Sequence, residues 1–130
     1  MTYNPLSAEE KLHIQKKVRA EQALKLCIIM MLSDRDIHDD EIKSLYAIIK
    51  EEDFFSPLTI ADDDLIDLIS DLQIERSNTK LEDIVLKYSK IKNLQTRENV
   101  FKFLDKVMIA DGVIHKKELS MINFLKEIWT

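Results

Sequence analysis

The chain has 130 residues, of which 45% are hydrophobic and 33% charged, and its formal net charge is -5. One glycine and two prolines leave few turn-formers for an all-β fold, and a single cysteine excludes an intrachain disulfide or a cysteine-cluster zinc site. The acidic balance disfavours nucleic-acid binding, which needs concentrated Lys and Arg to neutralise phosphates. We expect one helical domain over residues 1–130. It should be cytoplasmic, since no apolar run approaches a signal sequence or the ~20 residues of a membrane span.

The first predicted helix is long, and its two halves differ in character. It should begin at Ser7, which forms a capping box with Glu10, and it should run to about Leu32. From Leu24 onward the sequence is almost continuously apolar, so we expect this half to be deeply buried. Cys27 lies in that run and is interpreted as a small core residue.

The remaining helices are predicted from caps, breaks and apolar spacing. A second helix should span about residues 39–52, and it should be followed by a break at Pro57, which lacks an amide hydrogen. The three aspartates of "DDDLIDLISDLQ" mark a helix start, where negative charge favours the helix dipole. Thr79 and Glu82 predict a second capping box. Two last helices are predicted at about residues 96–109 and 115–129.

A short signature occurs twice in the chain, 77 residues apart, in "MLSDRDIHDDEI" and "MIADGVIHKKEL". Each copy lies between two predicted helices, so the first two helices correspond to the last two. We therefore expect an all-α fold, a single compact bundle of six or seven helices in which two helix-loop-helix units pack about a pseudo-twofold axis. The matching residues are Asp34/Asp111, Ile37/Ile114, His38/His115 and Glu41/Glu118.

The second copy is similar to the latter half of an EF-hand calcium loop, which needs an acid, a glycine and a final glutamate. The similarity ends there. The first and third ligand positions would be Val107 and Ile109, or Met30 and Leu32 in the first copy. None of these side chains binds calcium, so an ordinary EF-hand is excluded.

Each turn also has a purely structural interpretation. His38 and His115 fall where a helix N-cap is expected, and Glu41 and Glu118 follow three residues later, as in a capping box. The preceding isoleucines suit a hydrophobic staple. Under this interpretation, the aspartates bond amides of their own turns and no ion is needed.

The alternative is a shared metal site. If the pseudo-twofold packing brings the turns together, Asp34, Glu41, Asp111 and Glu118 place four carboxylates at one end of the bundle. Such an oxygen-rich set suits calcium, magnesium or manganese. The two histidines would suit a softer metal, although solvent-facing cap positions are favoured for them. The sequence leaves the structural and metal-binding interpretations open.

These residues resemble the TerB-like superfamily, named from tellurite-resistance proteins. The resemblance implies an all-helical fold, acidic residues proposed to bind divalent metal, and roles in stress-response systems associated with the membrane or in a membrane co-chaperone. Asp111 and Glu118 match the family motif directly, and Asp34 and Glu41 match it in the first copy. The first copy departs from the motif by Arg35 in place of glycine and by the additional acids Asp36, Asp39 and Asp40.

The uneven charge suggests a second type of function. Residues 34–75 contain 14 acidic and 3 basic residues, a surface that suits a basic protein partner. A metal-free interaction module is therefore the alternative to cation binding. The C-terminal "INFLKEIW" leaves a homodimer open, although burial of its aromatic residues within the domain is favoured. No Ser/His/Asp arrangement or phosphate-binding glycine loop is present, so we expect no enzymatic activity.

Overall fold

The computed structural model describes residues 5–33, 37, 39–60, 62–110 and 112–130, apart from the side chains of residues 62 and 63. The described residues form helices joined by short connections, with no strand among them, so the all-α prediction is confirmed. The α-helices are α1 (Ala8–Met31), α2 (Asp39–Glu51), α3 (Asp62–Asn78), α4 (Leu81–Tyr88), α5 (Leu94–Met108) and α6 (Lys116–Ile128), and a 3-10 helix (Asp53–Phe55) lies between α2 and α3.

Helix α1 begins as predicted and forms the centre of the bundle. The Ser7 hydroxyl accepts a hydrogen bond from the Glu10 amide at 3.1 Å, and the Ser7 amide donates one to the Glu10 carboxylate at 3.4 Å. Residues 8–18 are exposed, whereas the second half packs against the 3-10 helix, α3, α4, α5 and α6. Cys27 is fully buried, and burial raises the pKa of its thiol to about 12. The thiol therefore stays protonated and unreactive.

The prediction of a capping box at Thr79 and Glu82 was wrong. Helix α4 begins one residue later than a Thr79 cap requires, with Lys80 at its N-cap and no side-chain cap bond. The Arg76 guanidinium donates to the carbonyl of Thr79 at 3.2 Å, which holds this residue in the turn between α3 and α4. A local bond from the last turn of α3 therefore competes with the capping preference of Thr79.

The break at Pro57 is confirmed, and it supplies part of the core. The 3-10 helix places Phe55 in the interior with its ring 4.8 Å from that of Phe103 on α5. Asn93 is the N-cap of α5, and its side-chain oxygen accepts hydrogen bonds from the amide and the hydroxyl of Thr96, both at 2.8 Å. This cap puts the start of α5 two residues before the predicted position.

Contacts between α2 and α5 fix the relative direction of these helices. The Ser44 hydroxyl donates to the Lys106 carbonyl at 3.5 Å, near the end of α5. Glu52, just after α2, forms ion pairs with Lys102 at 3.3 Å and Lys106 at 2.7 Å. Asp53 and Phe54, which follow α2, line a cavity together with Asn93 and Gln95 at the start of α5. Helix α2 therefore runs antiparallel to α5 and begins near the end of α5. The connections that follow α1 and α5 consequently lie at the same end of the bundle.

Candidate functional site

Two of the four predicted ligands fall within the described structure. Glu41 lies in the first turn of α2 and Glu118 in the first turn of α6, and both residues have an exposed fraction of 0%. Asp34 and Asp111 lie outside the described residues, as does His38. The four-carboxylate site therefore stays a prediction, but the two glutamates have a defined and unusual environment, since acidic side chains are rarely fully buried.

Helix periodicity explains why both glutamates are buried. Glu41 shares a face of α2 with Leu45 and Ile48, and all three are buried. This i, i+4, i+7 spacing places side chains on one stripe of a helix. The corresponding residues of α6 follow the same pattern at the same spacing, namely Glu118, Ile122 and Leu125. The sequence contains this signal, but a charged residue is not normally assigned to a core stripe.

The turn before α6 agrees with the capping prediction in position but not in its side-chain bond. His115 is the N-cap of α6 and has extended backbone angles, yet its side chain makes no cap hydrogen bond. Gly112 has a φ of +75°, a left-handed conformation that favours glycine. Its amide donates to the Ile109 carbonyl at 3.0 Å, which closes the turn. The first copy's Arg35 lies outside the described residues.

Ser33 supplies a further oxygen atom that could act as a metal ligand at this end of the bundle. It directly precedes Asp34, it is fully buried, and its hydroxyl has no hydrogen-bond partner among the described residues. Its carbonyl accepts a hydrogen bond from Arg76 at 3.4 Å. A buried hydroxyl in this state costs free energy, and an ion or a water is one way to satisfy it.

The donor chemistry around the two turns fits a hard divalent cation. Carboxylate and hydroxyl oxygens are the ligands that calcium, magnesium and manganese prefer. Within the described part of the chain, no group of three or more His, Cys, Asp or Glu side chains is arranged to hold a metal. A complete site therefore depends on Asp34 and Asp111, which are not described.

The C-terminal aromatic residues pack within the domain. The Trp129 indole donates to the Ser89 carbonyl at 2.8 Å, and its ring lies 5.3 Å from that of Phe101. Phe124 and Ile128 are half-buried against the core. These contacts agree with the favoured interpretation of "INFLKEIW" and leave the homodimer prediction open.

The fold and the paired first-turn glutamates define an all-helical domain with a duplicated acidic turn. The family profile described as tellurite resistance protein TerB matches residues 20–128, so the chain belongs to the TerB family. No curated protein and no solved structure matches it. The family resemblance inferred from the repeated turns is confirmed, and the first 19 residues precede the matched region. Among the described residues, no helix is sufficiently long and apolar to cross a membrane.

Proposed function

We propose that this TerB domain is a non-enzymatic component of a cytoplasmic stress-response or membrane-associated complex, and that it binds a divalent cation. The ligands would be Asp34, Glu41, Asp111 and Glu118. The full burial of Glu41 and Glu118 at matching positions supports this proposal most strongly. Carboxylate oxygens are the ligands that hard divalent cations prefer, and these two lie at corresponding positions in the first turns of α2 and α6.

The protein's other side chains support a binding role for a hard cation. Cys27 is the one thiol of the sequence and is buried in the core, so the chain cannot supply the cluster of thiolates that zinc and copper(I) prefer. His115 is half-buried at the N-cap of α6, where a nitrogen ligand would favour a softer metal. The oxygen donors outnumber this nitrogen, which favours calcium, magnesium or manganese.

Calorimetry with matched variants tests the proposal. The native chain is titrated with calcium, magnesium, manganese and zinc chlorides, and the experiment is repeated with Glu118→Gln and Glu41→Gln. The exposed Glu127 of α6 and Glu51 of α2 provide controls of the same residue type in the same helices. We expect Glu118→Gln and Glu41→Gln to lose ion binding. The controls Glu127→Gln and Glu51→Gln should retain it. Absence of heat for every ion, or equal losses in all four variants, would refute the proposed site.

The second candidate function is docking of a basic protein partner without a metal. Asp64, Asp67 and Asp71 are exposed at an i, i+3, i+7 spacing and therefore form one acidic stripe along α3. The Asp34–Glu75 segment that contains this stripe is strongly acidic. Such a stripe would attract a cationic surface and would bind it less tightly at high salt.

Affinity capture from a cell extract distinguishes the two functions. A docking partner should be lost with Asp64→Asn/Asp67→Asn/Asp71→Asn and retained with Glu82→Gln/Asp83→Asn, exposed acids of α4. Under the docking hypothesis, a chelator leaves partner binding unchanged. Partner binding that is insensitive to salt and to neutralisation of the α3 stripe would exclude the acidic dock.

A further inference from the structure

A cavity lies beside the start of α5, at the end of the bundle opposite the repeated turns. Its volume is about 610 Å³, and its walls come from α1, from the 3-10 helix and the residues after it, and from the first turns of α5. Small-molecule sites commonly have volumes of roughly 300–1,000 Å³. The cavity contains none of the four predicted metal ligands, so an inference about it is independent of the proposed cation site.

The polar lining of this cavity is rich in positive charge and hydrogen-bond donors. Lys16 and Arg19 line it from α1, and in the described structure neither forms an ion pair or a hydrogen bond. The Asn93 side-chain oxygen accepts hydrogen bonds from Thr96, so the NH₂ group of Asn93 is available to donate to a ligand. Three amide side chains come from the start of α5, namely Asn93, Gln95 and Asn99.

The opposite wall combines two apolar side chains, Phe54 and Pro57, with the polar Asp53 and Ser56. The Phe54 ring lies edge-on to Phe55 at 5.2 Å and contacts Phe103 at 5.4 Å, so neighbouring aromatic rings fix its orientation. Pro57 extends this wall, and Asp53 contributes an exposed carboxylate beside it. A rigid ring next to unpaired cations suits a ligand with an apolar body and an anionic group.

We propose that the cavity binds a small organic phosphate monoester. Its phosphate would contact Lys16 and Arg19, and its apolar body would pack on Phe54 and Pro57. A phosphate monoester carries about -1.5 to -2 charges at pH 7, which the two cations match, whereas a carboxylate would offset only one of them. Arg19 also offers the planar set of donors that suits phosphate oxygens. Both cations precede residue 20, where the family match begins, so the site uses residues outside the matched region.

An NMR titration of the full chain with phenyl phosphate, in the presence of a chelator, tests this proposal. Saturable amide shifts are expected at residues that line the cavity. Arg19→Gln should weaken binding by about tenfold or more, because it removes charge-assisted hydrogen bonds. Lys17→Gln is the matched control, because Lys17 neighbours Lys16 in sequence but does not line the cavity. If Arg19→Gln disturbs the fold, Lys16→Gln at an exposed position provides the same comparison.

Three results would overturn the proposal. Phenyl phosphate at millimolar concentration could produce no saturable shifts at the cavity. Lys17→Gln could weaken binding as much as Arg19→Gln, which would indicate attraction to overall positive charge. Inorganic phosphate could bind as tightly as phenyl phosphate, which would leave the apolar wall without a role. The chelator separates all three results from the outcome of the cation experiment.

Discussion

Glu41 and Glu118 occupy equivalent positions in two helices that begin at the two repeated turns. Each is the third residue of its helix, each is fully buried, and each lies one turn before a buried aliphatic residue, Leu45 or Ile122. The antiparallel arrangement of α2 and α5 places the connections after α1 and α5 at the same end of the bundle. Glu41 and Glu118 therefore lie in the first turns of two helices that follow these connections.

Addition of the bound cation should raise the melting temperature of the native chain and leave that of Glu118→Gln unchanged. An ion that binds only the folded state stabilises it by about 2.7 kcal/mol at a hundredfold excess over the dissociation constant. Differential scanning fluorimetry with calcium, magnesium and manganese measures the shift, and a chelator should reverse it. Equal shifts in the native chain and the variant would show that the ion binds elsewhere.

Ser33→Ala should stabilise the chelated protein by about 1 kcal/mol, because it removes a buried hydroxyl that has no partner in the described structure. Urea denaturation measures the change. Ser120→Ala, an exposed serine of α6, is the control and should have little effect. A loss of stability on Ser33→Ala would show that the hydroxyl is satisfied in the folded protein.

Protonation of Glu75 should make the protein less stable at acid pH. Its carboxylate accepts hydrogen bonds from Lys87 and Tyr88, both at 2.7 Å, and these bonds lower its pKa below the ordinary value of 4.5. The stabilisation is therefore present above about pH 4.5 and is lost as the pH falls through the folded-state pKa.

The measurement for Glu75 is a comparison of unfolding free energies at neutral and acid pH. Glu75→Gln should be less stable than the native chain at pH 7 by about 0.5–1 kcal/mol, since the partly exposed ion pair is screened by water. The difference should shrink at acid pH. A constant difference across this range would contradict the pKa assignment, and Glu82→Gln on exposed α4 surface provides a control.

Gly112→Ala should destabilise the protein by about 1 kcal/mol through backbone conformation alone. Gly112 has a φ of +75°, and an added Cβ would meet no atom within 4 Å. Gly112→Asn should cost less, because asparagine tolerates the left-handed region better than alanine. Equal costs for the two variants would argue against the conformational explanation.

Much of the fold was predictable because its signals are local. The Ser7 capping box, the apolar half of α1 and the break at Pro57 each depend on neighbouring residues, and all three agree with the structure. The start of α4 was predicted one residue too early, because the sequence offers Thr79 both as an N-cap and as an acceptor for Arg76, three residues before it, and the structure adopts the second arrangement. The cap at Asn93 was locally available and was missed.

The residues of the candidate site could be predicted from the sequence, but the burial of their side chains could not. The duplicated signature identified Glu41 and Glu118, whereas their full burial depends on which faces of α2 and α6 pack against the core. The cavity beside Phe54 was missed for a similar reason. Lys16 and Arg19 meet the start of α5 only after the chain folds, and no local pattern records that contact.

The most direct test of the cation proposal is anomalous diffraction from crystals of the native chain grown with manganese. The proposal requires a manganese peak within coordination distance of carboxylate oxygens from both Glu41 and Glu118, with Asp34 and Asp111 completing the site. A peak that contacts neither glutamate, or manganese bound only by exposed acids such as Asp64 and Asp67, would contradict it.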